Sequence, residues 1–353
     1  MISRFVGSLV LAGAIAVGGG AAIAQDLPKQ SFKVVGTWSN LTNWQANEQP
    51  FWTKTLPEAS KGQLTANIQS ISELGLKGTE LIRLLKLGLF DFAHGVTIYI
   101  AEDAVVEGID IAGVAKDFAT AKKTTEVYGA IAADQFAKKY GAKVLGYYTW
   151  PAQMIYCNSP IKSIADIKGK KVRVQGTSQG DLVDGLGATG VTIPFAEVVP
   201  ALQRGTVDCG ITGTMPAFKA GWHEVTTHML NMPVGFSISF TAVSLATWSK
   251  LDDKTKALLE AEMKKAHESF WKVIIDENDH GIACTTGTGT CTAGKAGKLV
   301  KVEPSPQDLA AREKALNDVV LKRWAKRCGA DASCISNWND TIGKVAGVTA
   351  SGS

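Results

Sequence analysis

The sequence contains no C-x-x-C pair and no histidine at finger-like spacing, so a structural zinc site of the common kinds is not expected. It has no basic block with interleaved aromatics; lysines and glutamates are interspersed, which removes the footprint of nucleic-acid binding. No internal repeat or long low-complexity segment is present. The apolar segment "FVGSLVLAGAIAV" near the start is too short, and too rich in Gly and Ala, for a comfortable transmembrane span. No lipobox cysteine follows it.

What is there is ordinary globular material: 353 residues, 45% hydrophobic and 20% charged, enough for about two domains. Residues 1–24 read as a secretory leader. Arg4 supplies the positive end, the apolar segment follows, and Ala22-Ile23-Ala24 makes a small-x-small cleavage site before Gln25. The formal net charge of +4 drops by one when Arg4 is removed, and mild basicity suits anionic small molecules. All six cysteines follow the leader. Cys284 and Cys291 flank "TTGTGT", Cys328 and Cys334 flank "GADAS", and short loops of this kind in an exported protein suit local disulfides. Cys157 and Cys209 are either buried small hydrophobes or a third, long-range bridge.

Along the chain, strand and helix patterns alternate. "SFKVVGTW", "QLTANIQSIS" and "FDFAHGVT" read as strands; "NEQPFWTKTLPEAS", "GTELIRLLKLGLF" and "AKKTTEVYGAIAADQFAKKYG" read as helices. This argues for α/β architecture with a largely parallel sheet. Trp150-Pro151 interrupts the next strand pattern, and proline is poorly tolerated inside a central strand, so a crossing between domains is expected there. "KKVRVQG", "TIPF" and "VDCGITG" repeat the strand grammar between helical stretches. "FSISFTAVSLATWSKL" is strand-like and is expected to return to the first domain. A long helix then follows, with Leu259, Met263, Ala266, Phe270 and Ile274 forming one apolar stripe. "VTASGS" reads as a disordered tail.

Two motifs invite chemistry. Gly176-Thr177-Ser178-Gln179-Gly180 fits G-x-S-x-G, the turn that carries a hydrolase nucleophile. Its feeding strand, however, alternates Val172 and Val174 with Lys171, Arg173 and Gln175. That reads as a half-polar strand, whereas a nucleophile elbow sits on a strand covered on both faces. No Gly-rich oxyanion segment precedes it, and none of His223, His228, His267 or His280 has an evident orienting acid. Ser178 is therefore expected to belong to a turn that caps the helix from Asp181, and a secreted serine hydrolase is the alternative reading. "DENDHG", residues 276–281, opens like a calcium loop, but Gly287 stands where the bidentate glutamate belongs. It reads as the frayed end of the long helix.

The stretch 163–210 is more specific. Lys168-Gly169-Lys170-Lys171-Val172-Arg173-Val174, Leu186-Gly187-Ala188, Pro194, Glu197-Val198, Ala201-Leu202-Gln203, Gly205 and Val207-Asp208 resemble a segment of the solute-binding components of TRAP transporters. "ELGLKGTELIRLLKLGLFDFAH" is similar to a first-domain segment of the same family, and the resemblance spans about residues 30 to 280. It implies a two-lobed periplasmic binding protein fold with a long helix spanning both lobes. Residues 25–150 plus 239–278 would form lobe 1, residues 151–238 plus 279–345 lobe 2, and residues 346–353 the free tail. It implies a non-enzymatic, monomeric periplasmic receptor that captures a small carboxylate and hands it to TRAP membrane permease subunits, with no cofactor.

Within the family the position of Arg173 pairs with a ligand carboxylate, for which a planar guanidinium is suited. Gln153 falls where some members carry a second arginine and would donate to the same group. Phe195 matches a pocket-lining aromatic, and Thr212 a polar residue of the second lobe. Members that bind 2-oxo acids through a cation carry a Trp-Glu pair near residues 210–212, where this chain has Gly210, Ile211 and Thr212, so no metal is expected. Trp38, Glu73, Thr97 and Trp150 sit at strand ends of the first lobe, where clefts of α/β folds open.

Overall fold

The computed structural model describes residues 27–100 and 102–352. The expected leader, 1–24, lies outside the described residues. Among the described residues, eleven strands form two sheets. The first contains β1 (Gln30–Gly36), β2 (Leu64–Ser70), β3 (Phe92–Val96), β4 (Ala142–Tyr148) and β10 (Ser239–Ser244), in the order β2-β1-β3-β10-β4. The second contains β5 (Gln153–Cys157), β6 (Lys171–Val174), β7 (Thr189–Thr192), β8 (Cys209–Gly213), β9 (His228–Leu230) and β11 (Val300–Val302), in the order β11-β9-β5-β8-β6-β7.

The chain passes between the sheets three times: by short crossings after β4 and after β9, and by a long helical connection from β10 to β11. Through each short crossing it enters the new sheet as that sheet's antiparallel strand: β5 runs against β8 and β9, and β10 runs against β3 and β4. Trp150 and Pro151 stand in the first crossing, where no ladder partner is lost to the proline. The two short crossings lie side by side. The Trp150 N–H donates to Phe236 O, Gln153 N–H to Gly235 O, and Val234 N–H to Gln153 O.

Helix α1 (Phe118–Tyr140) covers the first sheet through Ala121, Tyr128, Ala132 and Phe136, which recur at helical spacing. Asp117 caps its start by accepting from Thr120 N–H, and Gly141 closes it in the left-handed region. Helices α2 (Thr177–Gly185) and α3 (Thr214–Lys219) belong to the second sheet. Helix α4 (Asp253–Thr286) is one continuous rod of 34 residues, about 50 Å long. Residues 276–281 are therefore helix interior and not a frayed end. The rod packs on β4 of the first sheet and, through Gly281, on α3 beside the second. A Cβ at Gly281 would come within 2.3 Å of the Met215 nitrogen, so only glycine lets the two helices meet this closely.

After β11 the chain serves both sheets. Helix Pro306–Ala315 lies against α2, while the segments that follow reach the first sheet's side: Trp324 Nε1 donates to Ala104 O and Trp338 Nε1 to Gly108 O. The terminal segment is tied down where a free tail was expected. Ala350 is buried, and its backbone exchanges two hydrogen bonds with the Asn339 side chain.

Three disulfides are present: Cys284–Cys291 and Cys328–Cys334, the expected local pairs, and Cys157–Cys209, which joins β5 to β8 where these residues are register partners. His280 lies close to the Cys284–Cys291 pair, but both sulfurs are consumed by the bridge. Among the described residues, no helix is long and apolar enough to cross a membrane.

Candidate functional site

Both sheets point the carboxyl ends of several strands at one cavity. It is lined from the first lobe by Trp38 and Leu41 after β1, and by Val96 and Tyr99 at the end of β3. Trp150, Gln153 and Ser237 come from the crossings and the start of β5. From the second lobe come Gln175 after β6, Phe195 after β7, Thr212 and Gly213 at the end of β8, and Pro216 of α3. The enclosed volume is only about 20 Å³, room for a single water. Aromatic rings fill the rest. Trp38 makes edge contacts with Tyr99, Trp150 and Phe195, at centroid distances of 6.0, 5.7 and 5.4 Å.

The lobes are shut on this cavity. Lys219 of α3 donates to Thr42 Oγ1 at 2.9 Å and to Gln45 Oε1 at 3.0 Å, and Lys77 pairs with Glu197 at 3.0 Å. At Gly176 the closure is a backbone contact: a Cβ there would lie 2.5 Å from the Ile98 carbonyl oxygen. Glu277 of α4 sits beneath the Lys219 contact. Burial pushes its carboxyl up to about 7, against the opposing pull of Thr42 and of the Lys219 charge.

Arg173 is fully buried on β6. Its Nε donates to Ile193 O at 2.9 Å and its Nη1 to Ile211 O at 2.7 Å. Its guanidinium carbon lies 5.8 Å from the Trp222 ring. Gly210, its register partner on β8, makes room for that ring, since a Cβ there would be 2.8 Å from Trp222. Nη2 has no hydrogen-bond partner, and among the described residues no carboxylate pairs with this cation. Burial lowers the Arg173 pKa, and the Tyr99 phenol beside it opposes that shift. Tyr99 is itself held up by burial and pulled back by Arg173. Arg173 does not form the cavity wall; Tyr99 does, so the phenol stands between the guanidinium and the cavity.

Of the other residues singled out from sequence, Gln153, Phe195, Thr212, Trp38 and Trp150 all line the cavity. Thr97 is buried behind it. Its Oγ1 and N–H both donate to Ile238 O, which fixes the turn that carries Tyr99. Glu73 is not brought there: it is exposed and closes a local turn by accepting from Ser70 N–H.

Seven cavity residues escaped the sequence reading, the apolar or backbone lining of Leu41, Val96, Gly213 and Pro216 and the polar Tyr99, Gln175 and Ser237. A signal existed for Gln175, which shares the Arg173 face of β6 two residues on. Ser237 Oγ donates to Gln175 Oε1, Gln175 Nε2 to Gln153 Oε1, and Gln153 Nε2 to Pro151 O, so the amides form one satisfied chain. Behind Ser237 lies Asp110, whose carboxylate accepts from the Ile238 N–H at 2.9 Å. Burial nevertheless raises its pKa to about 6.

The strand β6 is not half-polar in its surroundings: Val172, Arg173 and Val174 are all buried. Covered strands do host nucleophile elbows, but Ser178 has none of the other parts. Helix α2 starts at Thr177 with Gly176 at its cap, ahead of the expected start at Asp181. Ser178 Oγ is buried and accepts from Ala112 N–H at 3.3 Å. No imidazole is among its hydrogen-bond partners in the described residues.

Comparison with known proteins bears on this arrangement. The family model described as bacterial extracellular solute-binding protein, family 7 (DctP), matches residues 20–327. The chain is 24% identical to the sialic acid-binding periplasmic protein SiaP of Vibrio cholerae over 247 residues, covering 68% of this chain and 75% of that one. It is also 24% identical to the 2,3-diketo-L-gulonate-binding periplasmic protein YiaO of Escherichia coli over 228 residues, covering 63% and 68%. Among solved structures, an extracytoplasmic solute receptor of Bordetella pertussis that binds pyroglutamic acid superposes with a TM-score of 0.78 at 19% identity, covering 89% of this chain and 99% of that one. A TRAP periplasmic solute-binding protein of Desulfovibrio salexigens with bound orotic acid gives 0.79 at 17% identity, covering 90% and 100%.

Proposed function

We propose, for a chain that belongs to the bacterial extracellular solute-binding proteins of family 7, the TRAP receptors, that it captures a small organic carboxylate between its lobes and delivers it to membrane permease subunits. The family consists of substrate-binding receptors, and the relatives above are periplasmic. We place this chain there too, exported by the leader that ends near Ala24 and working as a monomer without cofactor or catalysis.

One observation carries the reading. Arg173 is a buried cation whose guanidinium meets the Tyr99 phenol but no carboxylate among the described residues, beside a cavity that both lobes close. An uncompensated buried charge is costly, and a partner of opposite charge removes that cost. A ligand carboxylate would take the place beside Arg173 that Tyr99 now holds, forming two parallel charge-assisted hydrogen bonds. Exclusion of water by the closed lobes strengthens that pair. The paired crossings at 149–153 and 234–238 would bend to admit the ligand, and the Lys219–Thr42–Gln45 and Lys77–Glu197 contacts would re-form on closure.

The test is a thermal-shift screen of organic acids, each run beside its neutral amide. A ligand at about a hundredfold over its Kd adds about 2.7 kcal/mol. Stabilisation by an acid but not by its amide is the expected result. Equal stabilisation by both, or by no acid of a broad panel, would overturn the reading.

A further inference from the structure

We infer that the ligand is a monocarboxylate with a compact apolar body, and that dicarboxylates and sugar acids are poor ligands. This rests on the carboxylate-capture reading and narrows it. Four features of the cavity lead to it.

The first is charge. None of the twelve lining residues is charged, and Arg173 is the cation adjoining them. One carboxylate neutralises it. A second would be stripped of water with no cation to receive it, and burying an unpaired carboxylate is strongly unfavourable.

The second is the wall formed by the crossing. Ser237 lines the cavity there, and the Asp110 carboxylate, which accepts from the neighbouring Ile238 N–H at 2.9 Å, sits behind it. That wall adds a negative charge of its own, so a second ligand carboxylate would be repelled from it.

The third is the hydrogen-bonding capacity of the walls. The amide chain from Ser237 through Gln175 and Gln153 ends on Pro151 O. Each link uses one N–H or O–H, which satisfies the walls among themselves and leaves one further N–H on each amide, too few partners for the several hydroxyls of a sugar acid. An apolar body leaves the chain intact.

The fourth is shape. Trp38, Tyr99, Trp150 and Phe195 surround the space with ring edges and faces, and Leu41, Val96 and Pro216 complete an apolar lining. Closed, they leave about 20 Å³. A ligand enters by displacing rings, chiefly Trp38, which stands in edge contact with three of its neighbours. Displacement is least for a small body, and apolar surface transferred from water to these rings is favourable at about 25 cal/mol per Å².

Calorimetric titration of the full-length mature protein with isovalerate, benzoate, succinate and glucuronate tests this, with wild type and Arg173→Met run in parallel. At least one of the two monocarboxylates should bind wild type at least tenfold more tightly than either succinate or glucuronate. Tighter binding of succinate or glucuronate, or binding of none of the four, overturns the inference. The Arg173→Met arm separates this from the parent reading. If succinate binds best and binding is lost in Arg173→Met, only the monocarboxylate inference falls. If an acid binds Arg173→Met as tightly as wild type, the carboxylate clamp falls as well.

Discussion

Gly176 is where the account of lobe closure can be tested without touching the cavity wall. Its φ of −161° and ψ of −173° are extended values that any residue adopts, so a side chain there is not strained by the backbone. The obstacle is across the cleft. A Cβ would lie 2.5 Å from the Ile98 carbonyl oxygen and 2.6 Å from Ile98 Cγ1, both on the first lobe. Serine is the substitution of choice, because Gly176 is the N-cap of α2 and serine caps a helix at least as well as glycine. Relieving such overlap costs about 1–3 kcal/mol. If the lobes part to relieve it, that cost falls on the closed form alone, and ligand affinity drops about 5- to 150-fold. Calorimetry with a bound carboxylate gives the affinity, and small-angle scattering gives the radius of gyration with and without ligand. Gly176→Ser should bind more weakly and, without ligand, scatter as the open form, closing only as ligand approaches saturation. Affinity within twofold of wild type would refute the idea that closure brings Gly176 against Ile98.

The half-buried Glu277 predicts a pH dependence. Its folded pKa, about 7, lies above its ordinary value of 4.5, so the folded chain holds a proton that the unfolded chain releases. Its contribution is fully present below about pH 4.5 and is lost as pH rises through 7, on the order of 3 kcal/mol at most. Glu277→Gln should therefore gain on wild type between pH 5 and pH 8 in thermal melts, and parallel curves would count against the burial argument. Removing the Cys157–Cys209 bridge, which closes a separation of 52 residues, should cost about 4 kcal/mol in the double alanine variant. An unchanged urea midpoint would contradict that. Ser178→Ala should leave ligand affinity unchanged and cost about 1 kcal/mol for the lost Ala112 contact, and a hydrolysis rate that falls with the substitution would revive the enzyme.

How far the residues spoke for themselves varied with how local each feature is. The 34-residue rod was readable because its stripe of Leu259, Met263, Phe270 and Ile274 follows the helical period over many turns. The crossing at Trp150-Pro151 was readable because proline has no place in a ladder. The surroundings of β6 were not. Nothing in "KKVRVQ" says that Arg173 will be buried, since its partners, Ile193 O and Ile211 O, come from other strands and from the turn after β7. Tyr99 gave no signal because its role depends on facing a residue 74 positions away, across the cleft. The Cys157–Cys209 pairing needed the neighbourhood of β5 and β8, which follows from sheet order and from no spacing in the chain. Glu73 misled for the opposite reason: a strand-end acid looked available to the cleft, but it is spent on its own turn.

The central claim is that Arg173 holds a ligand carboxylate. The most direct measurement is the dissociation constant of one carboxylate for wild type and for Arg173→Met, by calorimetry at one pH and ionic strength, with circular dichroism confirming that both are folded. Two charge-assisted hydrogen bonds to a buried carboxylate are worth enough that the variant should bind at least about 100-fold more weakly. A variant that stays folded and binds the same acid within threefold of wild type would contradict the account.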